Sequence, residues 1–104
     1  MAQYLLLYHG QELPKDRLGK RELVAELDRW GREISNVLLD GGNPTDGGRT
    51  ITRGDIEPLP DKPVTSYWVI EAEDLDEAVE LSRGSPTLHD NGSSAEIYEI
   101  VTGE

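Results

Sequence analysis

The chain reads as an α+β fold of element order βαββαβ, and three observations carry that prediction. Two short runs, Tyr4 to Tyr8 and Tyr67 to Ile70, are apolar or aromatic on both parities of a strand, so each strand must be covered on two sides. Two other segments carry apolar residues at three- and four-residue steps, the mark of amphipathic helices. A strand-helix-strand succession then occurs twice along 104 residues, which is within the usual length of one domain.

The first strand is "YLLLYHG", with Leu5 and Leu7 on one side and Tyr4, Leu6 and Tyr8 on the other. Between residues 18 and 38, Leu23, Leu27, Trp30, Ile34, Val37 and Leu38 form one stripe, with Glu22, Glu26, Arg29, Arg32 and Glu33 between them. Pro14 and Asp16 mark the entry turn of this helix, and Gly41-Gly42 end the pattern. Residues 40 to 48, "DGGNPTDGG", predict a turn or loop, because four glycines and a proline call for special backbone angles. "RTITRG" is the second strand, and the three prolines of "DIEPLPDKPV" predict a surface crossing without a ladder.

"TSYWVIEA" is the third strand, rich in β-branched and aromatic residues. In "EDLDEAVELSRGSP", Asp74 stands three positions before Glu77 in a capping-box pattern, and Leu75, Ala78, Val79 and Leu81 supply the apolar stripe. Gly84 and Pro86 stop the helix, the polar passage "TLHDNGSS" follows, and "AEIYEIV" is the last strand. Six elements in this order predict a ferredoxin-like, split βαβ arrangement, a four-stranded antiparallel sheet with both helices on one face. The other face is left for a second copy of the sheet, so a homodimer through that open face is expected. The alternative is a monomer with a few exposed aromatics.

Composition removes several functions. Ten Lys and Arg stand against 21 Asp and Glu, a net charge of −11, which repels a phosphate backbone and an anionic membrane surface alike. The N-terminal apolar run is too short for a signal or a membrane span, which points to a soluble cytoplasmic protein. There is no cysteine, so disulfides and thiol chemistry are excluded. The two histidines, His9 and His89, are 80 positions apart, and no ligand spacing supports a metal site.

With these residues in place, the chain resembles the YCII-related proteins, in their DGPF-type branch. The likeness covers nearly the whole length, through "YLLLYHG", the helix around Trp30-Gly31, "LLDGGNP", and above all "YWVIEAEDLDEAVELSRGSP" followed by "AEIYEI". The Asp-Gly-Pro-Phe signature of the branch is absent, and "EPLPDKPVTS" stands in its place. The resemblance implies a dimeric α/β barrel made of a single domain over 1–104. It also implies a histidine and acid pair as a site, which falls by position on His9 and Asp40.

Were His9 and Asp40 to meet, the carboxylate would fix the imidazole tautomer and leave one ring nitrogen to move a proton to or from a bound acid or phenol. Such chemistry suits elimination or isomerisation and calls for no cofactor. Backbone amides from Gly41 to Gly48, with Gly42 and Asn43 central, would hold an anionic oxygen of the ligand. Trp68, Tyr67 and Trp30 offer flat apolar walls, and His89 lies in a loop that could reach the cleft. Each residue also has a plainer role. His9 could be a hydrogen-bonded strand end, Asp40 the start of an Asx turn, Trp30 a core residue and His89 a solvent-exposed side chain. The sequence offers no convincing nucleophile-and-base pattern around Ser93 and Ser94, so acyl transfer is not indicated. The sequence leaves three classes open: a cofactor-independent lyase or isomerase, a non-catalytic small-molecule binder, and a regulatory partner acting through its dimer surface.

Overall fold

A computed structural model describes residues 1–89 and 92–103. The elements are β1 (Ala2–His9), α1 (Arg17–Glu33), β2 (Leu38–Pro44), β3 (Thr50–Ile51), β4 (Ile56–Glu57), β5 (Val64–Ala72), α2 (Leu75–Ser82), a 3-10 turn (Pro86–His89) and β6 (Ser94–Glu99). The fold is α+β. Its main sheet has the order β2-β5-β1-β6 with every neighbour antiparallel, the strand order of the split βαβ arrangement.

Strict alternation sorts the central strands into two faces. Tyr4, Leu6 and Tyr8 of β1 and Trp68, Ile70 and Ala72 of β5 are buried, and they join Leu23, Leu27, Trp30 and Ile34 of the α1 region and Ala78 of α2 in one core. The aromatic members pack edge to face, Trp30 against Trp68 with ring centres 4.6 Å apart and against Tyr8 at 6.1 Å. Tyr8 also spends its hydroxyl well, donating to the Ser82 carbonyl at 2.8 Å and so tying β1 to the end of α2. The opposite parity, Leu5, Leu7, Tyr67 and Val69, is only half buried. No element of the described chain lies over it in the way the helices lie over the first face.

Both helices begin as their sequences require. Asp16 caps α1 by accepting from the Gly19 amide at 2.8 Å, and Asp74 caps α2 by accepting from the Glu77 amide at 2.9 Å. Four expectations need correction. α1 ends at Glu33, and Val37 and Leu38 belong to the turn and strand after it, because an apolar pair following a helical stripe continues the period by coincidence. Of the loop expected over residues 40 to 48, residues 40–44 belong instead to the edge strand β2. Gly41 and Gly42 adopt φ of +103° and +93°, and the irregular register beside them lets a glycine-containing segment pair at a sheet edge. "RTITRG" is not in the main sheet; Thr50–Ile51 pairs with Ile56–Glu57 in a separate hairpin inside the proline-rich crossing. Leu75 is half exposed, and Ser82 takes its place on the buried stripe of α2.

Candidate functional site

His9 is the last residue of β1, and the sheet is irregular where it sits. Tyr8 pairs with Ser66 but His9 pairs with Val64, so Thr65 is an extra residue on β5. Bulges of this kind bend a strand and re-aim its side chains. The Thr65 hydroxyl caps the irregularity by donating to the Tyr8 carbonyl at 3.4 Å. By parity His9 follows Leu5 and Leu7 on the open face, and its side chain is 21% exposed.

Two groups hold the imidazole. Nδ1 lies 3.1 Å from the Lys62 carbonyl oxygen; a carbonyl only accepts, so Nδ1 carries a proton. Nε2 faces the Glu96 carboxylate in a close pair. The second oxygen of that carboxylate accepts a hydrogen bond from the Tyr98 hydroxyl at 2.8 Å. The three side chains form a chain, His9 to Glu96 to Tyr98. Sheet register explains why they meet. Glu96 stands opposite Leu7 and Tyr98 opposite Leu5, while Ser94 stands opposite His9, so Glu96 is the diagonal neighbour of His9 on the same face.

The electrostatics follow from these contacts. The Tyr98 hydroxyl, and then His9, stabilise the ionised form of Glu96 and hold its carboxyl below the usual carboxylate range. Reciprocally, the hydrogen bond to Glu96 and its negative charge push the Tyr98 phenol up. The Lys62 carbonyl is presented by an unusual backbone. Lys62 has φ of +54° and is the one non-glycine residue with positive φ among those described.

The other expected site residues lie elsewhere. Asp40 stands in register with Val69, which is opposite Leu5, so it is two strands across and four residues along from His9. Those steps amount to about 10 Å and about 13 Å. Its carboxylate instead accepts from the Gly41 amide at 2.7 Å. Asp40 is therefore not the carboxylate beside His9; Glu96 is, because the antiparallel return of β6 brings it there. Gly42, Asn43 and Trp68 do come together, in a concavity of about 310 Å³ with Gly31, Arg32 and Leu38. That concavity belongs to the helix-covered side, where the Trp68 ring is fully buried, and is separated from His9 by the sheet. His89 ends the 3-10 turn with an exposed side chain, while its loop neighbours Asp90 and Asn91 are outside the described residues. Among the described residues, no three His, Asp or Glu side chains converge as a metal ion requires.

Glu96, Tyr98 and Lys62 were missed by sequence reasoning. The alternation in "AEIYEI" placed Glu96 and Tyr98 on one face, but only the register with β1 shows that this is the histidine's face. Nothing in the residue type of Lys62 announces a left-handed backbone, since glycine or asparagine is the usual signal. No family model matches the chain. No curated protein matches it either. Among solved structures the chain is similar to 5-chloro-2-hydroxyhydroquinone dehydrochlorinase (TftG) from Burkholderia phenoliruptrix AC1100 in complex with 2,5-dihydroxybenzoquinone. The likeness has 20% sequence identity and a TM-score of 0.47, over 88% of this chain and 90% of that one.

Proposed function

We propose that the chain is a YCII-like protein that binds a small acidic or phenolic molecule on the open sheet face and exchanges a proton with it at His9, in a cofactor-independent elimination or isomerisation. The carrying observation is the His9-Glu96-Tyr98 chain on the face that the helices leave uncovered. In this reading Nδ1 keeps its proton on the Lys62 carbonyl throughout, and Nε2 is the atom that gives or takes one. A ligand oxygen arriving at Nε2 displaces the Glu96 carboxylate from it. Glu96 then remains as a negative charge beside the ring, and Tyr98 holds the carboxylate in place. Leu5, Leu7, Tyr67 and Val69 supply an apolar floor beside these groups, and a second copy of the sheet packed on the same face would exclude water from it.

One observation favours a non-catalytic reading of the same face. Both ring nitrogens of His9 already have partners, which suits a binder that uses the imidazole as a fixed donor. The two readings separate in one experiment. Small carboxylates, phenols and cyclic ketones are titrated into wild type, His9→Gln and Tyr98→Phe while amide shifts are followed, and bound compounds are then incubated and analysed for product. Shifts that converge on His9, Glu96 and Tyr98 and vanish in His9→Gln are expected, with product from at least one binder. Binding without product selects the binder, and absence of binding at this face overturns both.

A further inference from the structure

We propose that Lys62 is the positioning residue of His9, acting through its left-handed backbone rather than through its ammonium group. The inference rests on the proton-exchange reading above only for its importance; its geometry stands alone. Two sequence rules oppose the conformation that Lys62 adopts. A side chain with a Cβ disfavours φ of +54°, and Lys62 precedes Pro63, a position that favours extended backbone with negative φ. A residue stays in such a conformation only where its surroundings over-determine it, and strained residues of this kind gather at functional sites.

The surroundings of Lys62 do over-determine it. On one side, the Gly10 amide donates to the Pro63 carbonyl at 3.2 Å, fixing the segment after Lys62 to the end of β1. On the other, the Lys62 stem lies against two glycines. A Cβ built on Gly10 would stand 3.6 Å from both Cβ and Cδ of Lys62, and one built on Gly92 would stand 3.4 Å from its Nζ. Gly10 has no room for a side chain, since its Cβ would also lie 2.9 Å from the Gly92 carbonyl oxygen. The backbone held here presents the Lys62 carbonyl to Nδ1 of His9.

That carbonyl decides how the ring stands. With the Nδ1 N–H engaged by it, the ring is held so that Nε2 faces Glu96 and the open sheet face. Without it, the ring is free to turn, and Nε2 is no longer held toward Glu96. The backbone of Lys62 thus sets which ring nitrogen is turned toward Glu96 and the open face. A left-handed glycine would do the same.

The test is a substitution series graded by tolerance of positive φ, read on the His9 ring. Lys62→Gly, Lys62→Ala and Lys62→Val are labelled with ¹⁵N-histidine, and the Nδ1 and Nε2 shifts are recorded across a pH titration. Lys62→Gly is expected to retain the wild-type pattern of Nδ1 and Nε2 shifts. Lys62→Val is expected to lose it, as the hydrogen bond from Nδ1 to the carbonyl is lost, with Lys62→Ala between them; should the valine variant lose its dispersed amide spectrum, the alanine and glycine variants decide. Equal retention in all three variants overturns the proposal. Equal loss in the glycine and valine variants also overturns it, because the lysine side chain rather than the left-handed backbone would then be the cause. A graded loss in a protein that binds none of the small acids or phenols supports the positioning role while removing the proton-exchange function, so the two failures are distinguishable.

Discussion

The two faces of the main sheet are built from the same strands and follow opposite rules. On the helix-covered face every long side chain of β1 and β5 is buried, aromatic rings meet edge to face, and one phenol reaches a carbonyl across the core. On the open face Leu5, Leu7, Tyr67 and Val69 are half buried and share their rows with Glu96, Tyr98 and His9. A residue of one parity contributes to holding the fold, whereas its neighbour of the other parity contributes to what the fold presents. The difference teaches that apolar character on both parities does not mean a core on both sides.

The sharpest break of that comparison is a matched pair of truncations on adjacent residues. Trp68→Ala removes a fully buried ring from between α1 and β2, and the expected loss is about 3–5 kcal/mol of unfolding free energy. Tyr67→Ala, one residue earlier on the open face, is expected to cost under about 1 kcal/mol at protein concentrations where the chain is monomeric. Urea denaturation of both variants measures the gap. Equal losses would mean that the open face is packed as tightly as the other, against the geometry.

The helix-covered face also holds a position where even one methyl group is too much. Gly42 has φ of +93°, and a Cβ there would stand 2.9 Å from Cζ3 and 3.0 Å from Cη2 of the buried Trp68. Gly42→Ala is therefore expected to destabilise by about 1–3 kcal/mol, from backbone strain together with a displaced indole. Near-ultraviolet circular dichroism should report the displaced ring, and an unchanged aromatic signal with unchanged stability would show that β2 moves aside freely.

The open face answers to a different measurement. If a second copy covers it, Leu7→Lys places a charge in the centre of that contact, opposite Tyr67 and Glu96, and should raise the dimer dissociation constant at least about tenfold, or roughly 1.4 kcal/mol. Sedimentation velocity over a concentration series reads this directly. A wild-type chain that sediments as a monomer at every concentration would remove the dimer from the proposed function, while leaving the His9-Glu96-Tyr98 chain as it stands.

These contrasts also explain what could be read from the residues and what could not. Element type was legible where a period ran long enough: the stripe from Leu23 to Ile34, the alternation from Tyr4 to Tyr8 and the capping box at Asp74 each specify local structure by themselves. β2 was not legible, because "LLDGGNP" carries the residues of a turn and becomes a strand only through pairing with β5. The site was half legible for the same reason. His9 stood out as the end of an apolar strand, but its carboxylate partner depends on the register between β1 and β6, and Lys62 depends on a backbone angle that its residue type disfavours. Asp40 was the nearer acid in sequence to His9 and the farther in space. Pairing across a sheet is non-local information, and a pattern of residues along one strand does not contain it.

The smallest expected effect tests the electrostatics of the open face. Glu96 titrates below the usual carboxylate range in the folded protein, so its contribution to stability is present above its unfolded value and is lost as pH falls through the folded one. Tyr98 titrates above the usual phenol range, so its contribution is present below its unfolded value and is lost as pH rises through the folded one. The hydrogen bond between Tyr98 and Glu96 is consequently at full strength across the neutral range and fails at both ends for different reasons. The groups are largely solvent-exposed, so screening by water and salt keeps the effect small. In melting curves, the gap between wild type and Glu96→Gln should close on the acid side, and that between wild type and Tyr98→Phe should close on the alkaline side. The corresponding experiment on the covered face has no such dependence: Ser66→Ala deletes a buried hydroxyl that has no hydrogen-bond partner in the structure and should leave stability unchanged or slightly raised at every pH. A pH-dependent difference for Ser66→Ala, or a pH-independent one for Glu96→Gln, would mean that the division of labour between the two faces is drawn in the wrong place.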